Sequence, residues 1–102
     1  MIVIQELQNN DIALEGELAH YDMIDVKRSF KKAIDGKSGS QLNVDLSKIK
    51  SANSIVLSLL LFGLRVAESV SCKLTYHDLS PSLFNMARVG GIEHILNTSG
   101  ND

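Results

Sequence analysis

Two short, mainly apolar runs near the start of the chain, Ile2 to Leu7 and Ile12 to Glu15, predict two strands. The connection Gln8-Asn9-Asn10-Asp11 is short and turn-forming, which makes the strands antiparallel neighbours. From Asp22 to Ile34 the spacing changes: Met23, Val26, Phe30, Ala33 and Ile34 recur at helical intervals. Asp22 and Asp25 near the start, with Lys31 and Lys32 near the end, complement the helix dipole. Gly36 and Lys37-Ser38-Gly39-Ser40 stop that helix. Gln41 to Leu46 reads as a third strand, Ser54 to Ser69 as a second helix and Cys72 to His77 as a fourth strand. Pro81 suits the first turn of a third helix over Ser82 to Val89, with Ser80 as its cap. Gly90-Gly91 ends it, Ile92 to Leu96 adds a last short turn, and the polar tail 97–102 is expected to fray.

The order β-β-α-β-α-β-α predicts an α/β fold, a mainly parallel four-stranded sheet with an antiparallel start. Cys72, Leu74 and Tyr76 alternate with Lys73, Thr75 and His77. A sheet covered on both faces would show continuous apolar runs instead. Two layers are expected, with the helices mostly on one face.

A chain of 102 residues supports one domain, 1–102, with a modest core. Its net charge of −2 supplies no electrostatic drive toward nucleic acid or an anionic membrane. The basic cluster Lys27, Arg28, Lys31, Lys32 and Lys37 reads as the solvated face of an amphipathic helix. The single cysteine, Cys72, excludes an internal disulfide or a cysteine-pair metal site and reads as a buried thiol. Met1-Ile2-Val3 lacks the basic lead of a secretion signal. Ile55 to Leu64, broken by Ser58 and Gly63, is too short to span a bilayer. A soluble, cytoplasmic domain is expected.

Catalysis finds little support. His20, His77 and His94 fall in different elements with no metal-ligand spacing. There is no nucleophile elbow and no glycine-rich nucleotide loop; Gly90-Gly91 follows a helix rather than a strand. No cofactor, metal or enzymatic activity is expected. The helix from Ser54 is the informative element. Ser54, Ser58, Arg65 and Ser69 fall near one line, with Leu61 or Phe62 filling the gap. Val56, Leu60, Leu64 and Ala67 lie opposite and are expected to form the core, while Ile55, Leu59, Phe62 and Val66 flank the polar stripe. Two readings follow: neighbouring elements cover those flanks, or the flanks and the small serines form a docking patch.

Several segments resemble the STAS domain family of anti-sigma-factor antagonists. Asp45-Leu46-Ser47 resembles the family's strand-ending "DLS", and its spacing to Asn53-Ser54 matches the family's helix start. Gly16-Glu17-Leu18 resembles "GELD", with Ala19 in place of Asp, and Met86-Ala87-Arg88-Val89-Gly90-Gly91-Ile92 resembles the closing "LARLxGL". The resemblance implies a hydroxyl at the helix mouth that a partner kinase phosphorylates, here Ser54. Asn53 stands where the family has Asp, and Ile55 and Val56 stand where it has small residues. The small size and leucine-rich helix are most similar to MlaB-like STAS subunits of phospholipid-trafficking ABC transporters. That implies a non-enzymatic subunit that binds the transporter ATPase, placing it in the cytoplasm and peripheral to the inner membrane. The expected contact residues are Asn53, Ser54, Ile55, Ser58, Leu59, Phe62 and Arg65, with Lys31 at the rim. The alternative is an anti-sigma-factor antagonist whose partner is a kinase-type anti-sigma factor acting on Ser54. A third reading, a nucleotide- or lipid-binding domain using the helix mouth at Asn53, lacks a glycine-rich loop to support it.

Overall fold

The structure is a computed structural model that describes residues 1–8, 11–50 and 53–90. Strands β1 (Val3–Glu6) and β2 (Ile12–Glu15) form the antiparallel pair, with Val3 opposite Glu15 and Glu6 opposite Ile12. A 3-10 turn, His20–Asp22, leads into helix α1 (Met23–Asp35). The helix begins one residue later than its apolar spacing suggests, because the Asp22 carboxylate turns back to accept the Ala19 N–H at 3.2 Å. Then follow β3 (Gln41–Asp45), α2 (Ser54–Ser69), β4 (Lys73–His77) and α3 (Pro81–Val89). The sheet order is β1-β2-β3-β4, and β2, β3 and β4 are parallel. The expected turn at Ile92 to Leu96 and the tail 97–102 lie outside the described residues.

Alternation along the strands sorts the two faces. Ile12, Leu14, Leu42, Val44, Leu74 and Tyr76 are buried and join Val26, Phe30 and Ile34 of α1, Val56, Leu59, Leu60, Val66 and Ala67 of α2, and Leu83 and Ala87 of α3 in one cluster. The opposite face is polar across β3 and β4. There Asn43 Nδ2 donates to Asp11 Oδ1 at 3.0 Å, Thr75 Oγ1 donates to Asn43 Oδ1 at 2.7 Å, and His77 Nε2 lies 3.2 Å from the same oxygen. This is the two-layer arrangement that the alternation predicts.

Two details fix where α2 begins. Gly16, at φ +111°, holds a backbone shape that side chains resist, and a Cβ there would come within 2.6 Å of the Met1 carbonyl oxygen. It also pairs with the segment after β3: its N–H donates to Lys48 O at 3.0 Å, and Lys50 N–H donates to its carbonyl at 2.8 Å. The loop leading to α2 is thereby tied to the end of β2. The Cys72 thiol is buried and its pKa is pushed up by desolvation, partly offset by Lys37. It behaves as a small core residue.

Candidate functional site

Asn53 starts α2 as its sequence position predicts. Its backbone is extended, at φ −146° and ψ 175°, and its side-chain oxygen accepts the Val56 N–H at 3.0 Å. That bond satisfies one of the orphan donors of the first turn. Asn53→Ala is expected to cost about 1 kcal/mol, and Asn53→Asp to restore the loss; guanidinium unfolding of both variants measures this. Ser54 is exposed at the first helical position, Ile55 is half-buried, and Ser58 is exposed one turn on. Phe62 is half-buried with the Lys27 ammonium 5.3 Å from its ring centroid, and Arg65 is exposed.

Leu59 departs from expectation: at 0% exposure it belongs to the core and lines no surface. Val66 is buried too, whereas Leu64, expected inside, is only partly buried. The polar stripe is exposed as expected, but the buried arc is rotated by about 50° from the line of Val56, Leu60, Leu64 and Ala67. Gly63 accounts for the rotation. A Cβ there would lie 2.5 Å from Phe30 Cε2 and 2.5 Å from Tyr76 Oη, so its bare backbone is what lets α2 settle against both rings. Tyr76 in turn donates its hydroxyl to Leu60 O at 2.7 Å. Complete burial pushes the pKa of that hydroxyl well above its ordinary value.

The site gains Ile24 from α1 and Tyr21 from the turn before it. Each helix returns antiparallel to its parallel strands, so α1 and α2 run parallel and their first turns lie at the same end of the sheet. Ile24, Lys27 and Lys31 share one ridge of α1 at i, i+3 and i+7. The Lys27–Phe62 contact places that ridge beside Ile55, Ser58 and Phe62 of α2. At its upper end Ile24 is 73% exposed, and Tyr21 in the preceding turn is 87% exposed. Tyrosine is among the residues enriched at interface anchors. Ile24 had a visible signal: it is an apolar residue off the stripe formed by Met23, Val26, Phe30 and Ile34. Lys31 is engaged by Asp35 at 2.8 Å on the exposed face, an i,i+4 pair worth little in stability.

Among the described residues no three His, Cys, Asp or Glu side chains cluster as metal ligands. No described helix is long and apolar enough to cross a membrane. The arrangement offers a polar helix mouth and an apolar group of Ile24, Ile55 and Phe62 with lysines beside it, which suit contact with another macromolecule.

Comparison with known proteins agrees with this architecture. Residues 3–97 match the family model described as "Mlab, STAS domain". Among curated proteins, none matches the chain in sequence. The structure is similar to the anti-sigma factor antagonist SpoIIAA in its unphosphorylated form, with a TM-score of 0.73 at 14% identity, covering 100% of this chain and 89% of that one. The Bacillus cell fate determinant SpoIIAA in its phosphorylated form gives 0.70 at 14% identity, covering 100% and 92%. An anti-sigma factor antagonist from Mycobacterium paratuberculosis gives 0.74 at 12% identity, covering 96% and 83%. At these identities the likeness is one of fold.

Proposed function

The chain belongs to the STAS domain family, and from that premise we propose that it is a non-enzymatic docking module, a cytoplasmic accessory subunit that binds the ATPase of a lipid-transport ABC system at the inner membrane. One observation carries the reading: α1 and α2 lie side by side with Lys27 over Phe62, and they carry exposed Ile24, Ser54 and Ser58 and half-buried Ile55 and Phe62, with exposed Tyr21 in the turn before α1. Small hydroxyl residues permit close approach, while the aromatic and aliphatic groups supply the apolar area that association needs. Asn53 holds the helix mouth in place, and Arg65 extends the same exposed stripe away from it. The match to the Mlab-type family model favours a transporter ATPase as the partner.

Co-expression with the ABC ATPase subunit of the same organism tests the proposal. The two should co-purify, and Phe62→Asp should weaken binding at least about tenfold, a loss of about 1.4 kcal/mol. Ser54→Asp should weaken it more than Ser54→Ala, because a carboxylate would be desolvated in an apolar contact. Absence of a complex, or unchanged binding by Phe62→Asp, would overturn the reading.

A second reading rests on the exposed Ser54 hydroxyl. A phosphate there would meet the positive end of α2 while obstructing the apolar group, giving a switch between bound and free states. In that case the partner is a kinase-type anti-sigma factor. Incubation with such a kinase and ATP should add one phosphate, and Ser54→Ala should remove the acceptor. An unchanged mass in the native chain would exclude it.

A further inference from the structure

The two edges of the sheet differ in a way that the docking surface on the helices does not explain. On the open face, β4 carries Lys73, Thr75 and His77, and such polar and cationic residues discourage pairing with another chain. At the same level β1 carries Val3, Gln5 and Leu7, of which Val3 is 54% and Leu7 47% exposed. Leu7 continues the strand beyond Glu6, since its N–H donates to Asp11 O at 2.8 Å. An edge strand that is apolar on its solvent face is a template for pairing.

We propose that β1 pairs antiparallel with β1 of a second copy, forming a weak twofold dimer with Val3 of each copy opposite Leu7 of the other. Charge selects this register. A twofold axis through Glu6 would set two carboxylates directly opposite each other, a destabilising arrangement. An axis through Ile4 would waste Val3 on Gln5. With the axis at Gln5, Glu6 faces Ile4, and no like charges meet along the seam. On the same face a groove of about 500 Å3, lined by Met1, Val3, Gln5 and Ile49 together with Glu15, Lys48 and Lys50, opens on the β2 side of β1. Twofold pairing is also the commonest symmetry of homo-oligomers. So short a seam buries less than the roughly 800 Å2 per partner of a standard interface. Half-association is therefore expected on the order of 100 µM.

Sedimentation equilibrium from about 10 to about 500 µM tests this. The native chain should pass from monomer to dimer, and the double variant Val3→Lys/Leu7→Lys should stay monomeric, its dimerisation constant at least about tenfold weaker. Both positions are half-exposed, so the variant should melt within a few degrees of the native chain at low concentration; if it does not fold, Val3→Thr/Leu7→Gln takes its place. Gln5→Cys should cross-link to its own copy on oxidation, because directly opposed strand residues lie about 4.5–5.5 Å apart. A monomer at every concentration overturns the proposal and leaves the edge to another chain or to solvent. A dimer that survives the double substitution, or one that Gln5→Cys fails to cross-link, overturns it equally.

Discussion

Leu59→Asp is expected to leave the chain unfolded, whereas Phe62→Asp, three residues along the same helix, is expected to fold. Leu59 is fully buried between α2 and the rest of the core. Truncating a buried leucine costs about 2–5 kcal/mol before any charge is considered. A carboxylate in that place must then be buried without a partner or held protonated, at a further cost of several kcal/mol. Domains of this size hold about 5–15 kcal/mol in total, so the sum consumes most of it. Phe62 is half-buried under Lys27, so its replacement forfeits packing and a cation–π contact of about 0.5–1 kcal/mol, and the new carboxylate faces an ammonium. Far-ultraviolet circular dichroism separates the two outcomes. A folded Leu59→Asp protein would contradict the core assignment and return Leu59 to the candidate contact surface.

Gly63→Ala carries the second large effect, and its sign is set by a contest. Replacing a mid-helix glycine by alanine ordinarily gains about 1 kcal/mol. Here the added methyl would sit 2.5 Å from Phe30 Cε2 and from Tyr76 Oη, and both rings are fully buried. Neither can yield freely: Phe30 is enclosed by the core, and the Tyr76 hydroxyl is held by Leu60 O. Overpacking of this kind costs about 1–3 kcal/mol or more, so a net loss of about 2 kcal/mol and a melting point lower by about 10 °C are expected. In a Tyr76→Phe background one of the two clashes disappears. A double-mutant cycle should therefore show Gly63→Ala costing less there than in the native chain. Equal costs would place the conflict at Phe30 alone.

Much of this architecture was written in local signals. The bounds of α2 follow from Asn53 as cap at one end and the polar Ser69 at the other. The Ser80-Pro81 start of α3 holds as expected, with Ser80 Oγ accepting the Leu83 N–H at 3.1 Å. Where boundaries shifted, a local capping hydrogen bond did it: β4 begins at Lys73 rather than Cys72 because the Cys72 N–H closes α2 onto Ala67 O at 2.8 Å. The facing of α2 was legible only in part: Ser54, Ser58, Arg65 and Ser69 are exposed as their stripe predicts, but which flank of the stripe is buried could not be read. When apolar residues cover more than half of a helix, periodicity gives the width of the apolar arc without saying which part of it meets the core. The decision rests on Gly63 against Phe30 and Tyr76, three residues far apart in sequence. A related limit hid part of the candidate site. Ser54, Ile55, Ser58 and Phe62 share one helix and could be read together, but Tyr21 and Ile24 join them only once the crossovers set α1 and α2 side by side.

The opposite settings of the two tyrosines give the molecule a built-in pair of optical probes. With no tryptophan in the chain, Tyr21 and Tyr76 dominate its near-ultraviolet absorption and emission. Tyr76, locked in the core against a helix carbonyl, should supply the near-ultraviolet dichroism and lose it only when the domain unfolds. Tyr21, almost fully in water, should answer to iodide quenching and fall silent to it when a partner covers the helix ends. Folding and docking can thus be followed in one unlabelled sample, each on its own chromophore.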